Sequence, residues 1–227
     1  MNDALIEFME TNKQHSFVPT AVPENLWQSD WPWAPVIPGV EPDNDLVMSE
    51  LQAIDSLFVA HRANDKISSY GHEGWAAVTL HGIDSDKTEN YERYGYASEA
   101  DANYHWTDAS DRIPYITKHI VLNLPFTDYG RIRIMRLAPG GYIMPHTDGA
   151  GRIFGPYNFA LNNPQGCEFV FEGHGLVPFK AGRGFMLDLG IKHAVYNNSD
   201  EYRYHAIIHG RPYPGINQIV QSSIERL

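Results

Sequence analysis

Two histidines and an aspartate have the residue types and the spacing of a metal site. His146 and Asp148 stand two residues apart in Pro145-His146-Thr147-Asp148, and His193 follows 193 − 146 = 47 residues later. Residues two apart on a strand point to the same face, so His146 and Asp148 project together. Two imidazoles and one carboxylate on one face of a metal ion leave its other positions open, as in non-haem Fe(II) oxygenases. The sequence therefore predicts an Fe(II) site at His146, Asp148 and His193, with vacant positions for O2 and a cosubstrate.

One arginine is placed to bind an acid beside this site. Arg203 follows His193 by 203 − 193 = 10 residues, and the polar segment 197–200 between them favours a turn. Such a turn folds the strand of Arg203 back beside the strand of His193. A guanidinium forms a two-pronged salt bridge with a carboxylate. We therefore expect Arg203 to anchor the distal carboxylate of 2-oxoglutarate.

Three stretches of the sequence carry a family resemblance. They are RIMRLAPGGYIMPHTD at 133–148, NPQGCEFVF at 163–171 and GRGFMLDLGIKHAVYNNSDEYRYHAIIHGRP at 182–212. Together they resemble the aspartyl/asparaginyl β-hydroxylase-like oxygenases, a family that includes bacterial free-proline hydroxylases. The resemblance implies a double-stranded β-helix and an oxygenase that uses Fe(II), 2-oxoglutarate and O2. It also implies that His146, Asp148 and His193 bind the iron and that Arg203 binds the 5-carboxylate of 2-oxoglutarate.

The sequence departs from the animal aspartyl hydroxylases of this family at three places. Those enzymes lack the carboxylate ligand, whereas this chain keeps Asp148, which favours the amino-acid hydroxylase branch. Met135 stands where they have a serine that helps to hold 2-oxoglutarate. Their Arg-x-His pair is replaced by Gly-Pro-Tyr-Asn at 155–158. We expect Asn158 to hydrogen-bond a cosubstrate carboxylate in its place.

Four further residues are candidates for contacts with the substrate. Arg136 and Arg152 can pair with a substrate carboxylate, His205 shares the strand face of Arg203, and Trp106 can line the mouth of a pocket. Each also has an ordinary structural explanation, as a surface charge, a core histidine or a packing aromatic residue. The resemblance favours an amino acid or a peptide-like molecule as the substrate.

The predicted elements that position these residues are helices first and strands second. A helix is expected over 43–58 and another over 111–124, with a strand at 74–81 and a long polar loop at 84–110 that can cover a site. Short strands separated by turns, the first of which is Pro139-Gly140-Gly141, predict a mainly β protein with flanking helices (α+β) and a jelly-roll, cupin-like core. These strands are expected at 131–137, 142–148, 158–161, 168–172, 184–189, 194–196 and 203–209. Residues 1–45 are expected to form a Pro/Trp-rich arm packed on an oxygenase domain at 46–227.

Composition narrows the classes of partner. The net charge of −11 argues against nonspecific binding to nucleic acid or to an anionic membrane surface. The single cysteine, Cys167, cannot form an intramolecular disulfide, and no apolar run is long enough to cross a membrane. We therefore expect a cytoplasmic protein that acts on a small molecule or a peptide. The oligomeric state stays open.

Two other functions agree with the same residues. A cupin-like metalloenzyme that does not use 2-oxoglutarate needs the three metal ligands but not Arg203. A non-catalytic metal-binding module of the same fold needs neither an open metal position nor a cosubstrate. Dependence on 2-oxoglutarate separates both alternatives from the oxygenase.

Overall fold

The computed structural model describes residues 2–39, 41–62, 70–149 and 154–227. Five α-helices lie in these ranges: α1 (Asp3–Asn12), α2 (Asn44–Ala53), α3 (Glu99–Ala102), α4 (Asp108–Arg112) and α5 (Ile216–Ile224). The strands are β1 (Trp33–Pro35), β2 (Val59–Ala60), β3 (His72–Gly82), β4 (His105–Trp106), β5 (Phe126–His146), β6 (Phe154–Ala160), β7 (Cys167–Phe171), β8 (Gly175–Leu176), β9 (Gly184–Asp188), β10 (His193–Asn197) and β11 (Arg203–Pro212). Among the described helices, none has the length and apolar character needed to span a bilayer.

The strands form one curled antiparallel sheet in which β5 belongs to both halves. Its first part pairs with β11, and the order continues through β6 and β9 to β1. Its last part pairs with β10, and the order continues through β7 to β8. Strand β3 covers the other edge of β5. This is the double-stranded β-helix that the sequence predicts, with supporting helices, and the fold prediction is confirmed.

Side chains along β5 point alternately to the two faces of the sheet. Ile132 and Ile134 are fully buried in a core that also contains apolar residues of the helical segments. Residues of the opposite parity, such as Arg133 and Met135, face the inside of the β-helix. The closed end of that interior is filled by a second apolar cluster, which includes Phe171, Phe185, Leu187 and Val195. The polar site occupies the remaining interior.

The prediction of a turn at Pro139-Gly140-Gly141 was wrong, because β5 runs through these residues without a break. Strand β3 pairs with β5 on both sides of them, with a register shift between Glu73 and Trp75. Gly140 has φ +70, and a Cβ at Gly141 would lie 2.8 Å from the carbonyl oxygen of Ala138. The two glycines therefore let the strand bend without leaving the sheet.

The first predicted helix is present and the second is broken. Asp43 caps α2 by accepting hydrogen bonds from the backbone N–H groups of Asp45 and Leu46. The second segment consists of α4, a π-helical turn over Ile116–Ile120 and a 3₁₀ turn over Val121–Asn123. Ile113, which precedes Pro114, leaves the helical conformation at φ −125 and ψ 62. Proline disfavours the α conformation at the residue before it, so α4 ends there.

The N-terminal segment packs against the β-helix. Strand β1 pairs with β9, Trp31 and Trp33 are buried, and Trp27 is exposed. The ring of Phe17 packs edge-on against Trp31 and Trp33. Two of the three tryptophans therefore hold this segment on the strands.

Candidate metal centre

The structure brings His146, Asp148 and His193 together. His146 ends β5, His193 begins β10, and the two residues are register partners in the sheet. Asp148 lies two residues beyond β5, where its backbone N–H donates to the carbonyl of Leu189 over 3.0 Å. One ligand atom from each residue lies within 4.8 Å of the others. The strand that was expected to reach Asp148 stops at His146, yet the backbone bond to Leu189 keeps the carboxylate beside the histidines.

Carbonyl groups orient both imidazoles. Nδ1 of His146 lies 2.8 Å from the carbonyl oxygen of Met144, and Nδ1 of His193 lies 2.9 Å from that of Ile191. A carbonyl oxygen can only accept, so each Nδ1 carries the proton and each Nε2 presents a lone pair. Nε2 of His146 then lies 3.4 Å from Oδ1 of Asp148. Two acceptors at this distance repel each other unless a cation, either a proton or a metal ion, lies between them.

The charge states at the centre suit a divalent metal. Burial, with a smaller effect of His146, lowers the pKa of His193 to about 4, so this imidazole is neutral near pH 7. Burial alone would raise the pKa of Asp148, but its contact with the imidazole of His146, with a smaller effect of His193, outweighs burial and leaves the pKa below its ordinary value. The donor set is therefore the Nε2 atoms of two imidazoles and one carboxylate oxygen. This set fits Fe(II), and a closed structural zinc site would need a fourth ligand.

Apolar rings and a turn hold His193 in place. Its ring stacks on Phe169 with centroids 5.1 Å apart, and it is 3% exposed. The preceding turn is shaped by Asp188, whose Oδ1 accepts from the N–H of Gly190 and whose carbonyl accepts from that of Ile191. The carbonyl of Ile191 in turn accepts from the imidazole of His193. This chain of contacts fixes the direction of Nε2.

Arg203 lies deeper in the same interior and is 8% exposed. Its Nε donates to the side-chain oxygen of Asn163 over 3.2 Å, and one Nη lies 3.0 Å from Nδ1 of His205. The guanidinium also lies over the ring of Phe179, 5.6 Å from its centroid. Burial lowers its pKa to about 10, so it stays charged near pH 7. Within the described part of the chain, no carboxylate forms an ion pair with it.

A cavity of about 430 Å³ contains both the three-residue centre and Arg203. Asn158 and His205, which the sequence also suggested, line it and are buried. Burial and the charge of Arg203 hold the pKa of His205 well below its ordinary value, so this imidazole is neutral. The predicted loop 84–110 supplies Glu89, Asn90, Arg93 and Glu99 to one wall.

Two of the predicted substrate residues lie away from this cavity. Arg136 pairs with Asp55, and its guanidinium lies over Phe58 and Tyr202, because its strand parity is opposite to that of Met135. Trp106 is 37% exposed and packs against His81 and Tyr129. The fourth candidate, Arg152, lies outside the described residues.

The interior contains cationic residues that sequence reasoning missed. Arg131 and Arg133 line the cavity from β5, and His61 and His209 lie beside Arg133. A signal was present in the sequence, since Arg131, Arg133 and Met135 share one strand parity and alternate with Ile132 and Ile134. Parity alone did not indicate that this face lines a cavity.

Comparison with known proteins gives a family match and several distant structural matches. A family model described as Aspartyl/Asparaginyl beta-hydroxylase matches residues 43–211. A Pseudomonas putida prolyl-4-hydroxylase is 16% identical, with 80% of this chain and 94% of that chain covered and a TM-score of 0.42. A Trichoplax adhaerens prolyl hydroxylase, solved with a hypoxia inducible factor peptide fragment, is 11% identical, with 97% and 90% covered and a TM-score of 0.45. A Salinispora arenicola cupin 2 conserved barrel domain protein is 23% identical, with 48% and 77% covered and a TM-score of 0.28. Among curated proteins, no relative matches the sequence.

Proposed function

Because the chain belongs to the aspartyl/asparaginyl β-hydroxylase family, we propose that it is an Fe(II)- and 2-oxoglutarate-dependent oxygenase. Its substrate is an amino acid or a peptide-like molecule, and the reaction hydroxylates an unactivated C–H bond. An iron centre of this kind, together with 2-oxoglutarate and O2, supplies the oxidising power for that reaction and releases succinate and CO2.

The residues of the centre have separate roles in this proposal. His146 and His193 bind the iron through their Nε2 atoms, and Asp148 binds through its carboxylate. The carbonyls of Met144 and Ile191 keep the imidazoles in the tautomer that metal binding needs. The apolar residues of the cavity wall, among them Ile143, Leu189 and Val195, limit the access of water.

The observation that carries the proposal is the buried guanidinium of Arg203 in the same cavity as the three metal-ligand candidates. A buried charge without an acidic partner is costly, so a carboxylate ligand is the expected counterion. Arg203, with Asn158 on the adjacent strand β6, offers donors to such a carboxylate. The distal carboxylate of 2-oxoglutarate fits this position, whereas a metalloenzyme without that cosubstrate has no use for it.

The test measures 2-oxoglutarate binding and turnover separately. Binding is followed by calorimetry on protein loaded with Zn(II), which does not support turnover. We expect Arg203→Ala to weaken binding by about a hundredfold or more, because removing one partner of a buried ion pair costs roughly 3–5 kcal/mol. Arg112→Ala, which removes an exposed arginine paired with Asp108, is the matched control.

Turnover is measured as succinate formed by anaerobically Fe(II)-loaded protein after addition of 2-oxoglutarate, O2 and a panel of amino acids and short peptides. Activity that needs iron and is lost in His146→Ala and Arg203→Ala supports the oxygenase. Protein that binds a metal ion but not 2-oxoglutarate would instead support the cupin-like alternative. Protein that binds 2-oxoglutarate but never forms succinate would support the non-catalytic module.

A further inference from the structure

Two arginines on β5 face the cavity at a place that the proposed chemistry does not use. Arg131 and Arg133 lie on the inner face of the strand, with Ile132 between them in the outer core. Both are in the cavity wall, and Arg133 is 8% exposed. Charged side chains are rarely buried to this extent unless they have an ionic partner.

Neither guanidinium has all of its donors paired among the described residues. There, Nε and one Nη of Arg131 are buried without a hydrogen-bond partner, and so is Nε of Arg133. The other contacts of Arg133 are neutral, namely the carbonyl of Thr88 at 2.9 Å and imidazole nitrogens of His61 and His209 at 3.5 and 3.4 Å. Within the described residues, no carboxylate lies within ion-pair distance of either arginine.

The neighbouring groups leave this positive charge in place. Burial, followed by the charge of Arg133, holds the pKa of His61 and of His209 well below the ordinary value, so both imidazoles are neutral. Glu89 and Glu99 lie in the same wall. Glu89 accepts from the backbone N–H of Arg62 and lies 3.7 Å from its Nε. Burial lowers the pKa of both arginines, but a guanidinium keeps its proton in proteins, so the pair is cationic and has unused donors.

This pair is separate from the site of Arg203. In the sheet, Arg203 is opposite Leu137 and Ile207 is opposite Arg133. The two positions are thus four residues apart, or roughly 13 Å at the rise of a strand. Arg203 contacts Asn163, His205 and Phe179, and none of these contacts Arg133. The cavity therefore has a cationic site at Arg131 and Arg133 that is distinct from Arg203, the residue assigned to 2-oxoglutarate.

We propose that Arg131 and Arg133 bind an oxyanion, a carboxylate or a phosphate, carried by the substrate. This inference rests on the proposed function, which assigns Arg203 to the cosubstrate and so leaves the second cationic site for the substrate. Their free N–H donors match the geometry of either oxyanion. The substrate is accordingly an anionic molecule whose charged group lies at the β5 wall while the C–H bond to be oxidised faces the metal.

Binding of simple probes tests the site without turnover. Calorimetry on the Zn(II)-loaded protein, with and without saturating 2-oxoglutarate, compares N-acetylglycine, its neutral isostere N-acetylglycinamide and inorganic phosphate. We expect one or both anions to bind and the neutral amide not to bind. Binding of N-acetylglycine identifies a carboxylate, and binding of phosphate alone identifies a phosphate ester.

Arginine variants locate the bound anion. Arg131→Gln and Arg133→Gln are each expected to weaken anion binding by about tenfold or more, as for loss of a charge-assisted hydrogen bond. Arg136→Gln is the matched control, because it removes an arginine of the same strand that lies outside the cavity. Within the described residues Arg131 loses no hydrogen bond on substitution, so its variant remains informative if Arg133→Gln fails to fold.

The outcomes separate this inference from the proposed function. Both variants should keep the wild-type affinity for 2-oxoglutarate, whereas Arg203→Ala should lose it. Anion binding that is absent from the wild type, or equal in the wild type and both variants, would overturn the inference even if 2-oxoglutarate still binds. Anion binding that depends on Arg131 and Arg133 in a protein that does not bind 2-oxoglutarate would support the anion site and contradict the oxygenase.

Discussion

The buried imidazole of His193 should make the metal-free protein sensitive to mild acid. Burial lowers its pKa from 6.5 to about 4 in the folded state, whereas in the unfolded chain the imidazole returns to the ordinary value. Between these two values the unfolded state binds more protons, so lowering the pH favours unfolding. The stability that this residue contributes is therefore complete above about pH 6.5 and is lost as the pH falls toward 4.

The size of the effect follows from the shift. The 2.5-unit difference between 6.5 and about 4 corresponds to about 3 kcal/mol at low pH. Between pH 7 and pH 5 only part of this difference is expressed, which gives about 2 kcal/mol. Other buried histidines, such as His61 and His205, add to the total loss. The contribution of His193 must therefore be measured as a difference between two proteins.

The assay is urea unfolding at pH 7 and pH 5 with a chelator present, on wild type and on His193→Gln. Between pH 7 and pH 5, we expect the free energy of unfolding to fall by about 2 kcal/mol more in the wild type than in the variant. His15→Gln changes an exposed histidine and serves as the control for the chemical replacement. Equal losses in wild type and His193→Gln would refute the reasoning, because His193 would then titrate alike in the folded and unfolded states.

Three substitutions of residues other than the metal ligands test the packing that supports the site. Gly184→Ala should destabilise the protein by about 1–3 kcal/mol, because a Cβ there overlaps the buried ring of Tyr157; a thermal melt measures it, and an unchanged melting temperature would contradict the close packing. Asn197→Ala should lower the free energy of unfolding in urea by about 2–4 kcal/mol, because its amide donates to the carbonyls of Leu137 and Ala138 on β5. Asn198→Ala, at an exposed position, is its control. Phe171→Ala should lower the free energy of unfolding by about 3–5 kcal/mol in the same assay, because it opens a cavity behind His193. A loss below 1 kcal/mol would show that the neighbouring apolar side chains fill that cavity.

Local patterns predicted the residues that carry the metal-centre hypothesis. His146 and Asp148 stand two residues apart in the sequence, so strand parity alone indicates that they share a face. The strands of His193 and Arg203 were expected to lie side by side, which was wrong, because β10 and β11 each pair with β5 and not with each other. The fold followed from the same short strands. These inferences needed only period-two alternation and turn residues, which are local properties of the sequence.

The substrate side of the cavity could not be predicted in this way. Arg136 was suggested as a substrate contact, but a shift of one residue along a strand reverses the face, and the neighbouring Met135 is the one that points inward. Arg131 and Arg133 have the inward parity, yet their role depends on what covers that part of the sheet. The adjoining parts of the wall come from His61 and from 89–99, whose positions depend on long-range packing. Single-sequence patterns do not contain that information.

The whole-chain charge and the charge of the cavity have opposite signs, and this contrast bears on which ligands the site can take. A net charge of −11 describes mainly exposed acidic side chains, which water and salt screen. Arg131, Arg133 and Arg203 lie inside, where screening is weak and no described carboxylate pairs with them. Burying guanidinium groups without counterions lowers the stability of the empty protein. An anion that enters the cavity removes this cost, so its binding and the stability of the fold increase together. We infer that an anionic cosubstrate at Arg203 and an anionic substrate at Arg131 and Arg133 would explain why the fold retains three interior charges that the described residues leave without a carboxylate partner.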